Sequence, residues 1–305
     1  MAVLDDLVAA AGPERGPAAI ASFTTERTAY RRKWYQFFVI ALGLFLLAFA
    51  GSVFIADFSL MKLLDGFPRM ASFLQRALPH IDWTNLAGPT NQEGSLGYWF
   101  YNWPKWLSLL WESIEMALLA TALGGAAAFA LSFVAARNLG PARWVSVVTR
   151  RALELFRTLP DIIVALVFVQ AFGPGAAAGV LAIALHTTGA LGKLMSEVHE
   201  NIDMKPLEGV RASGGNWFHA IRFGAMPQIM PNFLSYALLR LEINIAAASA
   251  VGYVGAGGIG QELVIAIENL RFDDALAIIV MVIALIVVID LTSEAIRHRF
   301  IGASK

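Results

Sequence analysis

Tyr35–Ala56 runs for 22 residues without a charge, and that run limits what the chain can become. As a helix it would rise about 33 Å, enough to cross a hydrocarbon layer of roughly 30 Å. Two more uncharged runs follow, Met116–Ala136 and the 31-residue Ile162–Gly192. In lipid, every backbone N–H and C=O must find a partner within the protein, which favours helices for such segments. Composition agrees, with 57% hydrophobic and 15% charged residues against about 25% charged in soluble domains. The chain therefore reads as an all-α integral membrane protein. Its 23 basic and 23 acidic residues leave no net charge, so nothing draws it to nucleic acid in general. The absence of cysteine excludes disulfides and thiolate metal sites. His80, His186, His199, His219 and His298 show no close ligand pairing; they read as scattered structural or surface residues, not a metal centre.

Charge sets the order of the spans. Residues 1–34 read as a cytoplasmic tail ending in Arg31, Arg32 and Lys33, and 35–56 as a retained first span rather than a cleaved signal. Segment 57–110 reads as external or interfacial. Within it Leu60, Leu63, Leu64 and Phe67 recur at helical spacing in Ser59–Leu78, as in an amphipathic surface helix. Trp83, Trp99, Trp103, Trp106 and Trp111 suit the headgroup zone. Met116–Ala136 is the second span, and Gly124 and Gly125 in it would allow close helix approach. Ile162–Gly192 fits either one tilted span or two sharing the turn Phe172–Gly175. The loop carrying Arg137, Arg143, Arg150, Arg151 and Arg157 and the loop carrying Lys193, Lys205, Arg211 and Arg222 should both be cytoplasmic. An even number of crossings must then separate them, which selects two. A fifth span is expected near Met230–Tyr253, an external acidic loop at Gly255–Asp274, and a sixth span at Ala275–Ile296. The expectation is six transmembrane helices with both termini cytoplasmic, Arg297, Arg299 and Lys305 closing the chain inside.

Gly255-Ala-Gly257-Gly258-Ile-Gly260 matches G-x-G-x-x-G letter for letter. A dinucleotide turn needs a strand before it and a βαβ unit around it, and neither is present. The glycines fit better as a tight backbone bend beside a pathway. Arg240 and Glu242 lie inside the fifth span, where charges are costly and face a partner or a wet cavity. At i and i+2 they point apart on a helix. Structural pairing with another helix or subunit, or a place on a path for an anionic cargo, would each account for them.

Asp203–Pro231 is a polar island between apolar spans. Glu208 begins a short helical segment that Gly214-Gly215 interrupts. Gly214, Trp217, Phe218 and Ile221 then fall at i, i+3, i+4 and i+7 on one apolar face, and Pro227 and Pro231 end the segment. An exposed aromatic stripe needs a cover, either a partner's pocket or the protein's own membrane ends.

The spacing Glu208–Gly214–Pro227 resembles the cytoplasmic loop of binding-protein-dependent ABC importers, a coupling-helix loop between spans 4 and 5. Gly209 and Val210 replace the family's two alanines, and Gly224 and Met226 its Ile and Leu. With ELFRTLPDI (154–162), GPG and AGVLAIALHTTGALGKL (173–194) and VGAGGIGQEL (254–263), residues 111–297 look like the core of a phosphonate-type permease of type I importers; 298–305 are left as a cytoplasmic tail. The resemblance implies a bacterial inner-membrane homodimer with two ATPase subunits and an external binding protein. ATP and Mg would be bound by the ATPase, with no cofactor, metal or catalytic residue in this chain. Trp217, Phe218 and Ile221 would be the ball in the ATPase's socket, Glu208 a polar clasp, Gly214 the bend and Pro227 the third anchor of the pattern. Arg240, Glu242, Gly255, Gly257, Gly258 and Gly260 would line or gate the path. Cargo would be a phosphonate, with phosphite, a phosphate ester or a methionine-like substrate as alternatives. A gradient-driven secondary transporter is the competing class.

Overall fold

The computed structural model describes residues 16–56, 59–140 and 142–302. Expectations for residues 1–15 and 303–305, including Lys305, lie outside them. The described residues form helices and connecting turns, without a strand. The chain divides into two units, one ending at Phe73 and one starting at Leu74.

The first unit holds α1 (Gly16–Ile55) and most of α2 (Leu60–Ala77). The helix expected from Tyr35 thus begins well upstream, next to Pro17, a residue favoured in a first helical turn. Its span-like part is Arg27–Ile55. The amphipathic helix expected over Ser59–Leu78 is present as α2.

In the second unit a single turn, α3 (Leu96–Trp99), precedes α4 (Trp103–Ala135). Helix α4 starts 13 residues before the expected span at Met116. The reason is packing: Trp106 is 1% exposed against Ile259 and Ile278, and Trp99 donates its indole N–H to Asp273 O at 2.9 Å. These two tryptophans hold the bundle together, whereas Trp83, Trp103 and Trp111 are exposed as an interfacial role requires.

Next come α5 (Arg143–Thr158), α6 (Asp161–Phe172) and α7 (Ala176–Glu200). The break between α5 and α6 follows from Pro160, which lacks an N–H and pushes Leu159 into extended backbone, ψ 124°. Five helical stretches of the described residues are long and apolar enough to cross a membrane: Arg27–Ile55, Trp103–Ala135, Ala176–Glu200, Trp217–Val254 and Phe272–Ile296. The third of the six expected spans is different. Its apolar part, α6, has 12 residues and a rise of only about 18 Å, less than the hydrocarbon thickness.

Both ends of the bundle are defined by contacts. At one end the Arg137 N–H donates to Glu200 Oε1 at 3.0 Å and Asn138 Nδ2 to His199 O at 2.7 Å; at the other the Gly175 N–H donates to Gly255 O at 2.9 Å. Helix α4 runs between them, α5–α6 returns, and α7 comes back beside α4. The basic loop after α4 and the end of α7 therefore share one end of the bundle. Lys193 on α7 and Arg151 on α5 both engage Glu154.

Small residues let the helices touch. A Cβ on Gly124 would lie 2.6 Å from Ala184 O, and one on Gly189 2.5 Å from Arg157 N. At these points backbones of α4 and α5 press onto α7, the close approach expected of glycine in a membrane bundle. The chain continues through α8 (Lys205–Ala212), a single turn α9 (Trp217–His219) and a π-turn (Ala220–Ala225) into α10 (Met226–Val251). A 3₁₀ turn (Gly252–Val254), α11 (Gly258–Glu268) and α12 (Phe272–Gly302) complete it.

The acidic loop expected at Gly255–Asp274 mostly folds as α11. Its acids are not all solvated: Glu262, 8% exposed, accepts from Lys105 Nζ at 2.8 Å, and Asp274 pairs with Arg271 at 3.0 Å. Burial, then the Asp274 carboxylate, raises the Tyr101 phenol above its ordinary pKa. Lys105→Ala should leave Glu262 buried without its cation and cost about 1–3 kcal/mol, read as a lower midpoint of thermal unfolding in detergent. An unchanged midpoint would show that the pair is dispensable.

Candidate functional site

The polar island is a docked element. The Asp203 N–H donates to Gln228 Oε1 at 2.9 Å while Gln228 Nε2 donates to Asp203 O at 3.0 Å and to Gly224 O at 2.8 Å. The start of the island is thereby tied to the first turns of α10. Lys205 N–H on Asp203 Oδ1 (3.0 Å) leads into α8, where Glu208 lies exposed in the first turn. Leu207 is fully buried among Met195, Ile221 and Ile229. It sits over Gly224, where a Cβ would meet its Cα at 2.9 Å.

Gly214 adopts φ +88°, the left-handed conformation that ends a helix without a Cβ clash. Asn216 then caps the next turn, its Oδ1 accepting from the His219 N–H at 3.0 Å. Trp217 and Phe218 emerge 50% and 60% exposed. The Trp217 indole N–H reaches Leu139 O at 3.4 Å, and both rings border a groove of about 760 Å³ that also takes in Phe133, Leu139 and Arg211. Ile221 lines the same groove but from its floor. At 7% exposure it belongs to the core cluster under the loop. The expected stripe assumed a regular 3.6-residue turn; the π-turn from Ala220 winds more residues per turn and rotates Ile221 inward. The prolines also differ from expectation. Pro227 lies in the first turn of α10 and Pro231 inside it, so helical structure is continuous from Trp217 to Val254.

The second region lies midway along the bundle. Asn244 Nδ2 donates to Thr121 Oγ1 at 2.8 Å and to Thr187 Oγ1 at 2.9 Å, and the Arg240 Nε–H reaches Thr187 Oγ1 at 3.4 Å. Arg240 Nη2 is buried with no hydrogen-bond partner among the described residues. Asp161, the first residue of α6, meets His186 Nδ1 on α7 through its Oδ1, and its carboxylate also acts on Arg240 through space. Glu242 is half-buried further along α10. Of this group, reading the sequence singled out Arg240 and Glu242. His186 reads from the sequence only as a scattered histidine, and Asp161, Thr187, Asn244 and Thr121 carry no mark of their own, although a buried-span Asn and a His inside a 31-residue uncharged run are available signals.

At the opposite end from the island lies the glycine turn. Gly255, Gly257 and Gly258 have φ of +83°, +82° and +70°. A Cβ on Gly257 would lie 3.0 Å from Glu112 Oε1 and 3.2 Å from Ala176 N; on Gly258, 2.5 Å from Ser113 Oγ; on Gly260, 1.9 Å from Ser249 O. The turn is pressed between the starts of α4, α7 and α11. It joins helix to helix, so the strand that a dinucleotide turn requires is missing at this place. No group of three or more His, Cys, Asp or Glu among the described residues could hold a metal ion.

Lipid-length helices, a docked polar loop at one end and a glycine turn at the other define a membrane transport subunit. Residues 128–302 match the family described as the binding-protein-dependent transport system inner membrane component, and the chain belongs to that family. It is a multi-pass protein of the inner membrane with the non-enzymatic role of a permease. It is 34% identical to the phosphite transport system permease protein PtxC of Stutzerimonas stutzeri, over 75% of this chain and 81% of that one. It is 45% identical to PhnE2 of Escherichia coli (strain K12), named as a candidate permease of a cryptic phosphonate transport system, over 40% of this chain and 99% of that one. The fold is similar to an inward-facing MetNI methionine ABC transporter chain, with a TM-score of 0.53 at 20% identity over 64% of this chain and 95% of that one.

Proposed function

We propose that the chain forms the membrane path by which phosphonates, or the closely similar phosphite or phosphate esters, enter the cell. Two copies would enclose the path. Two ATPase subunits at the island end would hold ATP and Mg and supply the energy, and an external binding protein would deliver cargo at the glycine end. In this reading each copy crosses six times with both termini cytoplasmic, the α5–α6 pair making the third crossing, and residues 111–297 form the permease core. Segment 57–110 lies outside, and the tails 1–34 and 298–305 lie inside.

The observation that carries the reading is the island. Trp217 and Phe218 are exposed on an element locked to α10 through Gln228, so a push on the rings becomes a movement of a long membrane helix. Glu208 would serve as a polar clasp beside them and Gly214 as the bend; Pro227 begins the helix that is moved. The burial of Ile221 recasts it as the anchor beneath the ball. Rigid-body alternation between two states then opens the path to either side in turn. Gly255, Gly257, Gly258 and Gly260 border the outer gate, with Arg240 and Glu242 along the way.

Reconstitution tests this directly. The chain, purified with an ATPase carrying G-x-x-x-x-G-K-[ST] and supplied with a loaded binding protein, should take up methylphosphonate, phosphite or phosphate into liposomes only when ATP is inside with the ATPase. Uptake driven by an ion gradient without ATP would replace the reading with a secondary transporter.

A further inference from the structure

The cluster around Arg240 lies midway along the bundle and holds a guanidinium nitrogen without a hydrogen-bond partner among the described residues. Asp161 opens α6, His186 and Thr187 lie near the middle of α7, and Arg240 and Asn244 lie in the middle of α10. A guanidinium offers five N–H donors; here Nε is taken by Thr187, while Nη2 is shielded from water without a partner among the described residues. Next to Thr187 on α7, His186 meets the carboxylate of Asp161, which lies within electrostatic reach of Arg240. The side chains of His186 and Asp161 keep 24% and 18% of their surface open, so the cluster is partly accessible.

A guanidinium whose Nη2 is shielded from water and unpaired fits an anion rich in acceptor oxygens, and Arg matches phosphate-like geometry particularly well. A nearby carboxylate opposes such an anion. Fast passage needs both, since a site on a path must attract enough to be entered and repel enough to be left. Building on the import reading above, we propose that this cluster is a halfway site for a tetrahedral phosphorus oxyanion. Arg240 receives the anion, and Asp161 is the resident counterion that the anion displaces and that expels it in turn.

The test uses the complete permease–ATPase complex, with the binding protein withheld for binding measurements and restored for uptake. Inorganic phosphite, inorganic phosphate and methylphosphonate are titrated, binding being followed by the broadening of their ³¹P NMR signals. Asp161→Asn keeps the shape and removes the charge. It is expected to tighten binding of at least one of the three by about tenfold and to slow ATP-driven uptake by a similar factor, because release becomes limiting. Arg240→Gln should abolish the broadening. Asp161→Glu should bring uptake back towards the wild-type rate. If Asp161→Asn fails to assemble, Asp161→Ala carries the same expectation.

A purely structural Asp161–His186 pair would not yield tighter anion binding when broken. A wild-type complex that transports these anions, but whose Asp161→Asn form binds them no more tightly, overturns the halfway site and leaves the import reading intact. So does an Arg240→Gln form that broadens the signals as wild type does. A wild-type complex that transports none of the three overturns the oxyanion reading, and the halfway site with it.

Discussion

Trp217→Ala is expected to cut ATP-driven uptake at least about tenfold while ATP hydrolysis by the assembled complex continues, since a buried aromatic anchor at an interface is commonly worth 2 kcal/mol or more. Trp217 is half exposed and stands over the groove bordered by Leu139 and Arg211, so its truncation removes contact area without opening the core. Its other bond, from the indole N–H to Leu139 O, needs a control. Trp217→Phe keeps the ring and loses the donor. Near-normal coupling in that variant would assign the effect to the docked ring; a loss equal to that of the alanine variant would assign it to the Leu139 bond. Wild-type uptake with normal ATPase association in Trp217→Ala would rule out the docking role.

Substitution in the glycine turn should have an effect of similar size but different character. Gly257→Val places a β-branched residue at φ +82°, costing about 1–3 kcal/mol of backbone strain, with Glu112 and Ala176 in the way of its side chain. Uptake should stop while the subunits still co-purify, because the strain falls at the end of the bundle opposite the island. Gly260→Ala is the comparison. There the new methyl would overlap Ser249 O at 1.9 Å, so α11 must separate from the end of α10, and the expected result is a lower yield of folded protein. An unimpaired rate in Gly257→Val would count against a gate at this turn.

Some of this was legible in the sequence, and the limits are physical. Long uncharged runs marked the helices because lipid leaves the backbone no alternative. Charge placed the loops after α4 and α7 at one end, and the contacts of Glu200 and Asn138 agree. Gly214 could be read as a bend because few other residues tolerate its φ. The burial of Ile221 could not be read, since a π-turn changes the phase of everything after it and has no letter of its own. The start of α4 was misjudged because Trp106 suits a membrane interface and a protein core equally well. Asp161, His186 and Arg240 are separated by 25 and 54 positions; only the register between α6, α7 and α10 brings them together, and register between helices is a property of packing.

Helical structure without interruption from Trp217 to Val254 also has a mechanical meaning. These 38 residues make a rod roughly 55 Å long, with the aromatic foot at one tip and the glycine turn at the other. A tilt of about 5° at the foot carries the far tip some 5 Å by geometry alone. No relay of separate events is then required between the two faces of the membrane: what one tip does, the other does at the same moment. The weak point of such a rod is its first fifteen residues, where the π-turn, Pro227 and Pro231 follow one another. Gln228 is bonded across that stretch, to Asp203 and to Gly224 O, so on the proposed reading it would resist bending there.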